Sequence, residues 1–159
     1  MAKETTPPLT EDTCEMPKLH EVHTDPERRK ASDQELVKTV TESPVEEKSD
    51  ARWAYERLIL YIKNFEEQLD NEHEVAMGFA GSDAGVLRIE GMGYFDPDIV
   101  TFYGTDYEGN KTQLIQHVSQ LSVILRALPL LVDGDEPSEP NRIGFRLAED
   151  LDENTPALP

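Results

Sequence analysis

The sequence predicts an α+β fold: an N-terminal amphipathic helix followed by a strongly bent antiparallel β-meander, flanked by disordered acidic tails. Three observations predict it. From Ala51 to Asp70 the apolar residues Ala54, Leu58, Tyr61, Ile62, Phe65 and Leu69 recur at steps of three and four, the spacing of one helix face. From Gly85 to His117 three apolar-alternating segments are separated by turn-forming clusters, the pattern of consecutive antiparallel strands. Residues 1–50 hold five prolines, thirteen acidic residues and no Phe, Trp or Tyr. Such a segment cannot bury enough apolar surface to offset the roughly 1–2 kcal/mol per residue that ordering a backbone costs.

At 159 residues the chain has room for one domain with appendages. It divides into an acidic tail (1–49), a helix-plus-meander core (50–131), an acidic linker (132–141), a returning edge strand (142–148) and a second acidic tail (149–159). The net charge of −18 is spread evenly. Residues 1–50 carry 7 basic and 13 acidic side chains, 51–131 carry 6 and 12, and 132–159 carry 2 and 8, so each block contributes −6. That field repels phosphate backbones and anionic lipid, which disfavours nonspecific nucleic-acid and membrane-surface binding. Cys14 is the only cysteine, so an intrachain disulfide or a multi-cysteine zinc site is impossible. No apolar run approaches the roughly 20 residues that span a bilayer, and the N-terminus lacks the apolar core of a signal peptide. The expectation is a soluble, cytoplasmic protein.

Within the first tail, Asp33 to Val40 can form a short helix with Leu36, Val37 and Val40 on one face. Ser49 or Asp50 caps the main helix, with Arg52 and Glu56 paired at i,i+4 and Trp53 packed at the domain edge. Glu74 to Ala80 alternates large Val75, Met77 and Phe79 with small Ala76, Gly78 and Ala80, and the small face admits a close neighbour. After a GSDAG turn, Val86 to Tyr94 forms a strand in which Gly91 and Gly93 permit a bulge or sharp bend. Phe95-Asp96-Pro97-Asp98 reads as a type I turn, Ile99 to Tyr103 and Lys111 to His117 as the next two strands. Val118, Leu121, Leu125 and Leu128 fit a helix ended by Pro129, although Ser122 to Arg126 also suits a short strand; helix is the expectation. Ile143, Phe145 and Leu147 alternate as an edge strand.

The segments WAYERL, GYFDPDIVTFYG, QLIQHVSQLSVILRALP and RIGFRL, between Trp53 and Leu147, resemble a bacterial domain family that carries no assigned function. A second resemblance rests on Val75 to Ala80, Gly85 to Tyr94, Phe95-Asp96, Ile99 to Phe102 and Gln113 to Ser119. That order is similar to the Sm-like barrel of the bacterial host-factor RNA chaperone, and it implies a small barrel that forms rings through its edge strands. In that chaperone an aromatic residue three positions after the FD-turn Phe stacks a base, and a Lys precedes the His of the last strand. Here Asp98 and Gln116 stand in those places and His117 is retained. The resemblance therefore implies an Sm-like shape with an altered RNA site.

No enzyme motif emerges. The Asp-Pro-Asp spacing of Asp96 and Asp98 suits turn capping better than a hard-cation site, and neither Ser119 nor Ser122 lies in a nucleophile context. His20 and His23 flank Glu21 in a segment with no folded surroundings to shape a metal site. The expectation is a noncatalytic interaction module, without cofactor or metal, that self-associates or docks a protein partner. Its candidate surface is Trp53, Arg57, Tyr94, Phe95, Asp96, Asp98, Gln116 and His117. The alternative is an Sm-like, RNA-associated oligomer that gathers Arg52, Arg57, Arg88, Lys111 or Arg126 on one surface.

Overall fold

A computed structural model gives the architecture; it describes residues 16–17, 20, 24, 34–81, 83, 85–131 and 139–153. Helix α1 (Gln34–Thr41) and a 3-10 turn (Val45–Glu47) precede the main helix α2 (Asp50–Glu66). Five strands follow: β1 (His73–Phe79), β2 (Val86–Phe95), β3 (Ile99–Thr105), β4 (Lys111–His117) and, after a 3-10 turn (Val118–Gln120), β5 (Val123–Pro129). Helix α3 (Ile143–Glu153) closes the described chain. The fold is α+β, with one five-stranded antiparallel sheet in the order β4-β3-β2-β1-β5.

Helix α2 starts where Ser49 Oγ accepts from the Arg52 N–H, at 3.1 Å. Its core face is Ala51, Tyr55, Ile59, Ile62 and Glu66, turned about one position from the predicted stripe, so that Tyr61 is exposed. The residues facing it come from the strands: Val75, Met77 and Phe79 of β1, Leu87, Ile89 and Met92 of β2, and Val100 and Phe102 of β3. Burying a large aliphatic or aromatic side chain of this kind contributes about 1.5–3 kcal/mol. In β2 the register shifts between Ile89 and Gly91. This is the predicted bulge. It also exchanges the two faces: beyond it Met92 joins Leu87 and Ile89 in the core, while Gly91 and Gly93 move to the opposite face.

Four expectations are overturned. The sheet is open and does not close into a barrel: β4 and β5 lie at opposite ends. The segment 118–128 is mostly strand, because β1 is buried along most of its length and needs a partner on its second side; β5 supplies seven consecutive register pairs. The small face of β1 lies against it: a Cβ placed on Gly78 would make an ordinary contact with Ile124 Cβ, at 3.7 Å. The segment 142–148 is the start of α3 and not an edge strand, and the helix takes in part of the expected tail. Ile143, Leu147 and Leu151, spaced by four, turn toward the core. Residues 34–49 are not a disordered tail either: α1 packs on α2 and α3, and Val40 is buried. The Asp96–Pro97 bond is cis. Cys14, Glu21, His23 and residues 154–159 lie outside the described residues, while His20 is described and exposed.

Candidate functional site

The predicted surface residues come from three elements, and main-chain hydrogen bonds lock two of them to the β2–β3 turn. The Ala51 N–H donates to the Pro97 carbonyl at 2.9 Å, which fixes the start of α2 on the turn. The Val118 N–H donates to the Asp98 carbonyl at 2.9 Å, which fixes the end of β4. Side chains repeat the same joins. Ser49 Oγ accepts from Arg52, so its own hydrogen is free to donate to Asp96 Oδ1.

His117 is held on both ring nitrogens. Nε2 lies 3.1 Å from Asp98 Oδ2, and Nδ1 lies 3.1 Å from the Ser119 main-chain nitrogen and 2.7 Å from Ser119 Oγ. A main-chain N–H can only donate, so Nδ1 is the acceptor; the proton sits on Nε2 and is donated to Asp98. The His117 N–H in turn donates to Gln120 Oε1 at 3.0 Å, completing a reciprocal cap on the 3-10 turn. Aspartate, histidine and serine are the components of a hydrolytic relay, but the acceptor a serine would need is here shared with that serine's own main-chain N–H. The constellation acts as a cap.

Trp53 is not at an open edge. It is 3% exposed, its Nε1–H donates to the Val45 carbonyl at 2.7 Å, and the Lys48 ammonium lies 4.3 Å from its ring centroid. Lys48 bridges Glu56 at 2.6 Å and the Val40 carbonyl at 2.9 Å, which ties the segment before α2 down over the tryptophan. With Val45, Arg57, Val118 and Leu121, Trp53 lines an open hollow of about 340 Å³ beside the His117 cap. Tyr94 packs on Tyr55 with ring centroids 5.0 Å apart, while Phe95 is 75% exposed. Gln116 points to the core side, opposite Val100 in register, and its Oε1 is enclosed without a hydrogen-bond partner among the described residues.

The cations proposed for an RNA surface do not gather into a free cluster. Arg52 pairs with Glu56, Arg88 with Glu74 and Lys111 with Glu90, and Arg57 Nε donates to the Trp53 carbonyl. Lys111 also holds the Glu90 carboxyl below the usual carboxylate range by its hydrogen bond.

Sequence reasoning missed two features. One is Glu66, which is 2% exposed and accepts from the Gly144 and Phe145 N–H groups at 3.0 and 3.3 Å, capping α3 from α2. Burial pushes its carboxyl up to about 7 despite these donors and Arg142. The other is the pair of sheet edges. In β4 the even-numbered residues bond to β3, as the Asp98–Val118 and Asp106–Asn110 pairs that extend the ladder show, so Lys111, Gln113, Ile115 and His117 present their N–H and C=O groups outward. In β5 the even-numbered residues bond to β1, from Ser122–Ala80 through Leu130–Glu72, so Val123, Leu125 and Ala127 present theirs. Ile115 (62% exposed) and Ile124 (49%) lie on the sheet face turned away from the helices. The β-branched Val123-Ile124 pair was the available signal for β5.

Residues 44–146 match a family of unknown function, DUF6173, which is more than half of the chain. The chain belongs to this family. The matched DUF6173 region runs from the 3-10 turn before α2 into the first turn of α3, so it contains the His117 cap and both sheet edges and leaves out α1. No curated protein and no solved structure matches the chain. Among the described residues no helix is long and apolar enough to cross a membrane.

Proposed function

We propose that this DUF6173 domain is a noncatalytic interaction module that works through its sheet edges, either joining copies of itself or docking an extended segment of a protein partner. The observation that carries this reading is the open sheet: both ends offer a seven-residue strand whose outward N–H and C=O groups are a template for another strand. The apolar side chains beside those groups, Ile115 and Ile124, give an added strand something to cover. The polar groups of the Asp98–His117 corner serve caps and joins, so they support a structural role there. Light scattering over a range of concentrations tests self-association, with a mass above 18.0 kDa as the expected result. An array of extended peptides tests the partner mode. A chain that stays monomeric and retains no peptide would overturn the proposal.

The RNA-associated oligomer is the weaker reading. The sheet lacks the closed barrel on which that reading leaned, and four of the five candidate cations are engaged by carboxylates or a main-chain oxygen. RNA binding that weakens steeply with salt would reinstate it.

A further inference from the structure

We infer that β5 pairs antiparallel with β5 of a second copy about a two-fold axis at Leu125, joining two five-stranded sheets into one of ten. The inference rests on the edge-binding reading and names its partner.

The two edges are not equally open. On β4, Lys111 is held by Glu90 and Thr105, and the outward N–H of His117 is occupied by Gln120 Oε1. Charge on an edge and a capped donor both discourage strand addition. Among the described residues, the outward N–H groups of Val123, Leu125 and Ala127 on β5 have no such cover. The strand carries no acidic residue and no lysine, and its one proline, Pro129, comes at the end.

The strand is also complementary to itself in one register. Centred on Leu125, the pairing sets Leu125 against the partner's Leu125 and Val123 against the partner's Ala127, so all three outward residues of each copy meet a donor and an acceptor. Pro129, which has no N–H, then falls opposite the partner's Leu121, outside the ladder. On the face away from the helices Ile124 lies against the aliphatic stem of the partner's Arg126, a contact that covers an isoleucine now half-exposed. A register centred on Arg126 would set like charges directly opposite each other, which is destabilising. One centred on Ile124 would strand Ala127 opposite Leu121. The two-fold operation is closed, so assembly stops at the dimer. Each chain carries −18, but Glu74, which lies opposite Leu128 of β5 in register, is ion-paired with Arg88. Repulsion between the remaining charges is long-range and screened over about 8 Å at physiological salt, so added salt should tighten the dimer.

Ala127→Pro is the decisive variant, because it deletes an outward N–H and leaves the bonds to β1, made by the even-numbered residues, in place. The expected result is an unchanged circular dichroism spectrum with a dimer dissociation constant raised at least tenfold. Amide hydrogen exchange on the unaltered chain gives an independent reading should that variant fold poorly. The amides of Val123, Leu125 and Ala127 should become protected as concentration rises, while those of Lys111, Gln113 and Ile115 stay unchanged. A dimer that survives Ala127→Pro, or concentration-dependent protection on β4, would overturn the β5 pairing and leave the edge reading standing; an oligomer larger than two would also overturn it. A chain that binds an acidic peptide through Arg126, more weakly as salt rises, and never dimerises would overturn it in favour of a heterologous partner. Monomer with no peptide bound would remove both proposals.

Discussion

Asp98 accepts a hydrogen bond from His117 Nε2 across 3.1 Å, joining the β2–β3 turn to the end of β4. Both side chains are nearly half exposed, so the pair is a joint near water and its energy is modest. His117→Ala removes that bond together with the 3-10 cap and should cost about 1 kcal/mol in urea unfolding, at unchanged slope. Asp98→Asn keeps an acceptor facing Nε2 and should cost less than half as much. A neutral His117→Ala would show that the main-chain bond from Val118 to Asp98 holds the joint alone.

Glu66 makes stability depend on pH. Its carboxyl titrates at about 7 in the folded chain against an ordinary value of 4.5. Below pH 4.5 it is protonated in both states. Between 4.5 and about 7 the unfolded chain ionises and the folded chain does not, so the contribution of Glu66 falls as pH rises and is level above that window. Glu66→Gln cannot ionise; its stability relative to the parent should rise through the same window and then stay constant. Denaturation midpoints of the two proteins across it are the measurement, and parallel curves would refute the assignment.

Trp53 is the only tryptophan, so its fluorescence reports the joint between α2 and the segment that precedes it. The parent should emit as a buried indole. Trp53→Phe loses the hydrogen bond to Val45 and should cost about 1 kcal/mol. Trp53→Ala also empties a large site and should cost about 3–5 kcal/mol. In calorimetry the two losses should be clearly separated; equal losses would mean that the ring contributes nothing beyond its N–H.

Gln116 lies on the core side of β4 with an enclosed, unpartnered oxygen. Replacing it by leucine removes a desolvated polar group and adds apolar contact, so Gln116→Leu should stabilise the fold by about 1 kcal/mol. Destabilisation in the same urea assay would reveal a partner for that oxygen.

The sequence made the local elements legible, while those that depend on distant partners stayed hidden. Helix α2, its Ser49 cap, β2 to β4 and the Gly91 bulge follow from residues within a few positions of each other. Strand β5 was obscured because Val118, Leu121, Leu125 and Leu128 satisfy a helical period, and the demand that overrules it comes from β1, some fifty residues earlier. Helix α3 was obscured because Ile143 to Leu147 alternates over too few residues to fix a period; Leu151, which completes the helical spacing, lies among acids that read as a tail. The same tail assignment separated Trp53 from Val45 and Lys48, which cover it. At the candidate site Asp98 and His117 were each visible as departures or survivals from a pattern, but their hydrogen bond needed the turn folded onto the strand end.

The return of β5 to β1 also shapes how the chain folds. Partners in that pairing are 44 to 56 residues apart in sequence, whereas β2, β3 and β4 are joined by short hairpins. Closing the long loop is the slower event, so the hairpins should assemble first. Until β5 docks, β1 lacks a strand on one of its two sides. The interval before that closure is when this chain is most exposed to aggregation, and substitutions that weaken β5 would lengthen it even where the finished fold tolerates them.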